Sequence, residues 1–178
     1  MRLADAIRTV PDFPKPGIQF KDVTPLLADP ALLVEAVDRL VAPYADAGVT
    51  HVVGIESRGF ILGAMMADRL GAGFVPVRKP GKLPGETARE SYALEYGSDA
   101  LDIHTDAFAA ALDAGQSARV LVHDDVIATG GTAAATARLV DRAGGTLVGF
   151  AFLIELAFLD GRAKLPDDAP VHAILRYE

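Results

Sequence analysis

Apolar residues along this chain follow two alternating patterns. Leu33, Val37, Leu40, Val41 and Tyr44 fall at helical spacing, with Asp29-Pro30 ahead of them as cap and first-turn proline. A helix is therefore predicted from there, ending at Gly48. His51-Val52-Val53-Gly54-Ile55 is a continuous apolar run, as a buried strand requires. A second amphipathic helix is expected over Phe60–Leu70, stopped by Gly71-Ala72-Gly73, before a strand at Phe74-Val75-Pro76-Val77. The same rhythm returns in the apolar strand Val120-Leu121-Val122 and an alanine-rich helix from Ala133 to Arg142. A long strand over Thr146–Leu156, a turn at Gly161-Arg162 and an edge strand at Val171–Leu175 complete it. Helices and strands alternating through short turns predict an α/β fold, its parallel sheet covered on both faces.

Two regions stand outside this alternation. Arg2–Thr9 reads as a short helix with Leu3, Ala6 and Ile7 on one side. Pro11, Pro14 and Pro16 then forbid regular structure, and Ile18–Val23 follows as a short extended piece. Later, Leu83–Glu90 carries Pro84, Gly85 and small polar residues without periodicity, so a mobile loop is expected. Ser91–Tyr96 alternates weakly, turns at Gly97-Ser98 and returns as Ala100–His104, a β-hairpin placed to act as a flap. Thr105 is expected to cap a short alanine-rich helix that Gly115 ends.

Composition narrows the chemistry. With 178 residues, 51% of them hydrophobic, the chain can bury the core of one domain. A formal net charge of -7 argues against nucleic acid as a partner held by a general electrostatic footprint. The absence of cysteine excludes disulfides, a thiolate nucleophile and a Cys-based metal site. No apolar run is long enough to span a membrane, and the first residues lack the apolar core of a signal peptide, so a cytoplasmic location is expected.

Local charge then matters more than the total. Arg78-Lys79-Pro80-Gly81-Lys82 puts three cations into five residues directly after a strand's carboxyl end, where parallel sheets bind ligands. At the expected end of the next strand stand Asp124 and Asp125, followed by Ala128-Thr129-Gly130-Gly131-Thr132 and a helix start. Glycines let backbone N–H groups approach phosphate oxygens, the helix N-terminus favours an anion, and Thr129 and Thr132 can donate hydroxyl hydrogens. Carboxylates only accept, so the acid pair suits vicinal ribose hydroxyls. An ordinary helix cap would explain Thr129 and Gly130 but not two adjacent acids. Strand alternation turns His123 away from Asp124 and into the core. Two other phosphate loops fail: Phe60 stands where a Walker lysine is required, and Gly71-Ala72-Gly73 lacks a third glycine. Phe20 fits a small satellite core or a stacking platform for a planar ligand, and its residue type leaves both open.

Asp124-Asp125-Val126-Ile127-Ala128-Thr129-Gly130-Gly131-Thr132 resembles the phosphoribosyl pyrophosphate (PRPP) signature of type I phosphoribosyltransferases, with His123 standing where an apolar residue is usual. Four further stretches resemble adenine phosphoribosyltransferases: Pro14–Asp22, Gly54–Phe60, Arg78–Pro84 and Tyr92–Gly97. The resemblance implies one domain over residues 1–178, with a hood from residues 1–28 and a flap from residues 79–104. It implies conversion of adenine and PRPP to AMP and pyrophosphate. Mg²⁺ would be carried by PRPP rather than by protein ligands, with a water-mediated link to Asp124.

By the same resemblance Ser57 and Arg58 form a pyrophosphate loop, where a cis peptide is common, and Arg78, Lys79 and Lys82 look like pyrophosphate ligands. Phe20 and Val126 would sandwich the purine, with Lys21 beside it. Glu95 and Tyr96 look like flap residues, Glu95 as proton handler, and a homodimer is implied. A transferase for xanthine or orotate and a non-catalytic PRPP-sensing regulator are the alternatives. The residues after the signature, Ala133–Ala137, include no lysine to meet a 6-oxopurine. The hood backbone at Ile18–Lys21 can supply the carbonyl and N–H that adenine needs, so adenine is the expected base.

Overall fold

The computed structural model describes residues 2–93 and 98–178. A 3-10 helix at Leu3–Ala6 leads into strand β1 (Arg8–Pro11), which pairs antiparallel with β2 (Gln19–Asp22) in the register Arg8↔Asp22. The helix expected over Arg2–Thr9 is thus only its first half. Three apolar residues cannot offset the cost of helix nucleation, whereas Arg8 gains a partner as a strand residue, its Nε donating to Asp22 at 3.0 Å. Helix α1 (Thr24–Ala28) and helix α2 (Pro30–Val41) follow. Asp29 caps α2 as expected, Oδ1 accepting from the N–H groups of Ala31 and Leu32 at 2.9 and 3.1 Å. The helix stops at Val41 rather than Gly48, because Pro43 lacks the N–H that would continue it; a 3-10 turn at Ala42–Tyr44 replaces the last residues.

Strand β3 (His51–Ile55), helix α3 (Gly59–Leu70) and strand β4 (Gly73–Val77) come next, then the hairpin β5 (Thr87–Ala93) and β6 (Ser98–His104). Short helix α4 (Ala109–Asp113), strand β7 (Arg119–Ile127), helix α5 (Gly131–Arg142), strand β8 (Thr146–Leu156) and strand β9 (Val171–Tyr177) complete the described elements. The order β4-β3-β7-β8-β9 is parallel throughout, with β7 in the middle and β9 at an edge. Alternate residues of β7 feed two cores. Val120 and Val122 pack with Phe150, Phe152 and Leu139 of α5, while Leu121 packs with Leu40 of α2 and Met66 of α3. This is the α/β architecture that the apolar rhythm predicts.

Other boundaries moved as well. Strand β7 continues through Asp124 and Asp125 to Ile127, so the acids lie inside its carboxyl-terminal end, and α5 starts at Gly131. Thr105 does not cap α4; Phe108 holds that place without a side-chain bond, and Thr105 N–H donates to Glu86 O at 3.2 Å. The loop expected at Leu83–Glu90 is ordered from Thr87 onward, in register Thr87↔His104 through Ala93↔Ser98. Its anchors are charges, which apolar periodicity does not register. Arg89 forks onto Asp102 at 2.7 and 2.9 Å, and Glu90 meets Arg138 and Arg142 at 2.6 and 2.7 Å. Among the described residues no helix is long and apolar enough to cross a membrane.

Candidate active site

Parallel pairing on both sides drives β7 deep into the sheet, so its end delivers two carboxylates, Asp125 buried and Asp124 part-exposed. Asp125 is 3% exposed, and Arg58 Nε lies 2.8 Å from its Oδ2 as an ion pair. Asp124 Oδ1 accepts from the Asp125 N–H at 2.9 Å. Desolvation first, and the charge of Asp125 second, push the Asp124 carboxyl well above the usual carboxylate range. Desolvation also raises Asp125, and Arg58 opposes it. An adjacent pair of this kind holds its negative charge poorly when alone, and better once hydroxyl donors and a cation arrive.

Arg58 stands at the start of α3, after a Glu56–Ser57 peptide that is cis. Its guanidinium also lies under the Phe20 ring, 5.0 Å from the centroid, so one side chain links the acids to the hood. Phe13 braces the same ring edge-on at 5.1 Å. Gly59 is needed where α3 presses on β7: a Cβ there would lie 3.0 Å from Asp124 Oδ1 and 3.1 Å from His123 O.

Two pockets meet at the acids. One of 70 Å³ is lined by Asp124, Val126, Ala128, Thr129, Gly130 and Thr132, and its size and donors suit a single phosphate. The other, of 270 Å³, lies between Phe20, Val126 and Leu156, with Arg58, Asp124 and Asp125 on its floor. Ile18, Gln19 and Lys21 supply its hood side. Asp124, Val126 and Ala128 line both. A larger cavity of 600 Å³, between α5 and residues 164–169, contains none of the expected site residues.

The phosphate-sized pocket keeps its shape through a backbone junction. Gly130 has φ +75°, and a Cβ on it would fall 2.0 Å from Gly161 O; a Cβ on Gly161 would fall 2.2 Å from Ala128 O. The loop after β8 is fixed in turn by Glu155, 5% exposed, which takes the Arg162 guanidinium at 2.7 and 2.6 Å.

The phosphoribosyl transferase domain family matches residues 26–175 of the chain. An adenine phosphoribosyltransferase of Gloeobacter violaceus (strain ATCC 29082 / PCC 7421) is 57% identical over 177 residues, 99% of this chain and 100% of that protein. The crystal structure of adenine phosphoribosyltransferase from Rhodothermus marinus has a TM-score of 0.90 at 60% identity, covering 98% of this chain and 96% of that one. The Saccharomyces cerevisiae enzyme, complexed with an imino-altritol bisphosphate and adenine, gives a TM-score of 0.87 at 41% identity, over 96% of this chain and 95% of that one. This chain belongs to the adenine phosphoribosyltransferase family.

Within this chain the residues expected from sequence divide into those that meet and those that do not. Phe20, Lys21, Arg58, Asp124, Asp125, Val126 and Ala128 line one pocket, and Thr129, Gly130 and Thr132 the adjoining one. The Lys21 ammonium is engaged by Thr9 Oγ1 at 3.0 Å and by the Tyr177 ring at 4.2 Å. Gly131 opens α5 beside the smaller pocket, and Ser57 follows the cis bond. The basic loop is tied down from below: Glu56 Oε2 accepts from Arg78 Nε at 3.2 Å and from Lys79 N–H at 2.9 Å. Arg78 also donates to the Lys82 carbonyl at 3.3 Å, Lys79 Nζ reaches Asp99 at 3.0 Å, and Lys82 is exposed. Glu95 and Tyr96 lie outside the described residues.

Sequence reading passed over Glu56, Leu156 and Gly161. Glu56 had a signal, an acid at the carboxyl end of β3 beside a cationic loop; Leu156 and Gly161 had none, because their partners are distant in sequence. His123 is fully buried as expected, with Nδ1 donating to Ala151 O at 2.8 Å and Nε2 without a partner. Burial pushes its pKa down to about 4.

Proposed function

We propose that the family reaction, adenine plus PRPP giving AMP and pyrophosphate, runs across the two adjoining pockets. The observation that carries this reading is that Asp124 lines both. The 5′-phosphate would sit against Ala128–Thr132 at the start of α5, where N–H groups and hydroxyls converge. The purine would lie between Phe20 and Val126. Strand β2 is paired by β1 on one side only, so the outward N–H and C=O groups beside Phe20 remain for the base edge. The ribose then spans the acids, donating its two hydroxyls to them.

The chemistry follows from where charge develops. Loss of pyrophosphate from C1′ leaves a ribosyl cation, which the acid pair faces and stabilises, while Arg58, Lys79 and Lys82 receive the departing anion. Adenine N9 captures the cation and gives up its proton. Glu95 is the group proposed to take it, in a flap whose closure keeps water from capturing the cation first.

A Mg²⁺ requirement fits the donor set. Among the described residues no group of three or more acids or histidines could cage a metal ion. The adjacent pair, one member part-exposed, is the sparse carboxylate set that suits Mg²⁺ arriving with substrate phosphates. PRPP would carry the ion, with Asp124 linked to it through water, and the ion would neutralise pyrophosphate charge. A homodimer and a cytoplasmic location complete the proposal.

The deciding experiment is AMP formation measured with adenine, hypoxanthine, guanine, xanthine and orotate, each with PRPP, with and without Mg²⁺. Adenine presents an amino donor and an N1 acceptor, which 6-oxopurines reverse, so a preference of about 10⁴-fold in kcat/KM is expected. Comparable rates with hypoxanthine or guanine would refute the assignment of the hood backbone to the base.

A further inference from the structure

Asp102, on β6, is 2% exposed and takes no part in the chemistry above. Its surroundings join three segments at one residue. Its backbone exchanges two hydrogen bonds with Arg78, the first residue of the basic loop: Arg78 N–H to Asp102 O at 3.0 Å and Asp102 N–H to Arg78 O at 2.7 Å. Its carboxylate receives the Arg89 guanidinium from β5 on both oxygens, at 2.7 and 2.9 Å. Arg89 above all holds the Asp102 carboxyl below the usual carboxylate range, so the clamp stays charged.

Gly81 has φ +76° with open space around it, so packing does not fix the loop at that point. The loop is fastened by polar contacts instead: Glu56 accepts from Arg78 and the Lys79 N–H, Asp99 takes Lys79 Nζ, and the Asp102 backbone bridges to Arg78. Among these, Asp102 also holds Arg89 of flap strand β5.

We propose that Asp102 is a positioning residue for pyrophosphate capture, clamping the basic loop to flap strand β5 so that Lys79 and Lys82 are presented together with a seated flap. The proposal rests on the reading of that loop as the pyrophosphate site. The clamp lies within one chain, so it acts equally on a loop that serves a neighbouring subunit.

Three variants test it by steady-state kinetics and by pyrophosphate and AMP inhibition. Asp102→Asn keeps the shape and the backbone bridge to Arg78 but cannot hold the Arg89 fork as a charged acceptor. KM for PRPP and the inhibition constant of pyrophosphate should rise about 10-fold or more, the effect of losing a charge-assisted hydrogen bond. The KM for adenine, inhibition by AMP and kcat at saturation should stay within about threefold of the parent. Arg89→Gln, which changes an exposed side chain and leaves the backbone bridge to Arg78, should give a smaller loss of the same kind even if the first variant folds poorly. Unchanged pyrophosphate inhibition in both, or an equal loss for PRPP, adenine and AMP, would overturn the proposal alone. Unchanged pyrophosphate inhibition in Lys79→Ala/Lys82→Ala would overturn the pyrophosphate-site reading and this inference with it.

Discussion

The junction between Gly130 and Gly161 gives the sharpest test of how the phosphate pocket is built. In Gly130→Ala the new Cβ would sit 2.0 Å from Gly161 O, and in Gly161→Ala 2.2 Å from Ala128 O, where contacts under 3.0 Å are essentially never found. The two loops must therefore part by at least the difference, about 1 Å, in either variant. Misplacement of that size beside reacting groups costs about 100-fold in rate. Gly130→Ala also carries the left-handed backbone penalty of roughly 1–2 kcal/mol at φ +75°. Gly161→Ala is the more telling variant, because Gly161 lines neither pocket. Measured as kcat/KM for PRPP at saturating adenine, both should fall about 100-fold. The double variant should fall little further, since both disturb one contact. Gly71→Ala, with φ +63° and nothing within 4 Å, supplies the backbone penalty alone and should lose stability but not activity. Near-normal kcat/KM in Gly161→Ala would refute the idea that this junction shapes the pocket.

Three other outcomes follow from the charges. Asp124→Asn with Asp125→Asn should lower kcat/KM for PRPP by about 100-fold or more. Because the folded chain holds these carboxyls above 3.8, their ionisation opposes folding as pH rises past that value, so melting at pH 7 should show the variant no less stable. Asp22 behaves oppositely: the Thr24 N–H, and then Arg8, bring it down to about 2, giving stability that is present above pH 4 and lost as pH falls through 2. Its Asn variant should be about 2 kcal/mol less stable at pH 7, a gap that closes over that window in denaturant titrations. His123, held neutral with a pKa of about 4 against 6.5, makes stability fall as pH drops from 6.5 towards 4. His123→Leu should flatten that slope, and an unchanged slope would assign it to other groups.

Much of this was legible in the chain because it is local. A continuous apolar run has one stable fate, burial between layers, and β3, β7 and β8 followed from theirs. The caps at Asp29 and the glycine-rich start of α5 are contacts between near neighbours, as is the pairing of two acids with a phosphate loop. Each could be deduced from spacing and side-chain chemistry alone. What spacing could not supply was any contact whose partners lie far apart in the chain. The Arg89–Asp102 and Glu90–Arg138 pairs order a stretch that apolar periodicity gave up as loop, because charges anchor without repeating. Gly161 looked like an ordinary turn residue until the fold brought its carbonyl against Gly130. Arg58 could be assigned to a loop, but not to its place between Asp125 and Phe20. Sequence named most of the groups that line the two pockets but not Leu156; the burial of β7 beneath two covering layers decided how far the acids are withdrawn from water, and so what their charge can do.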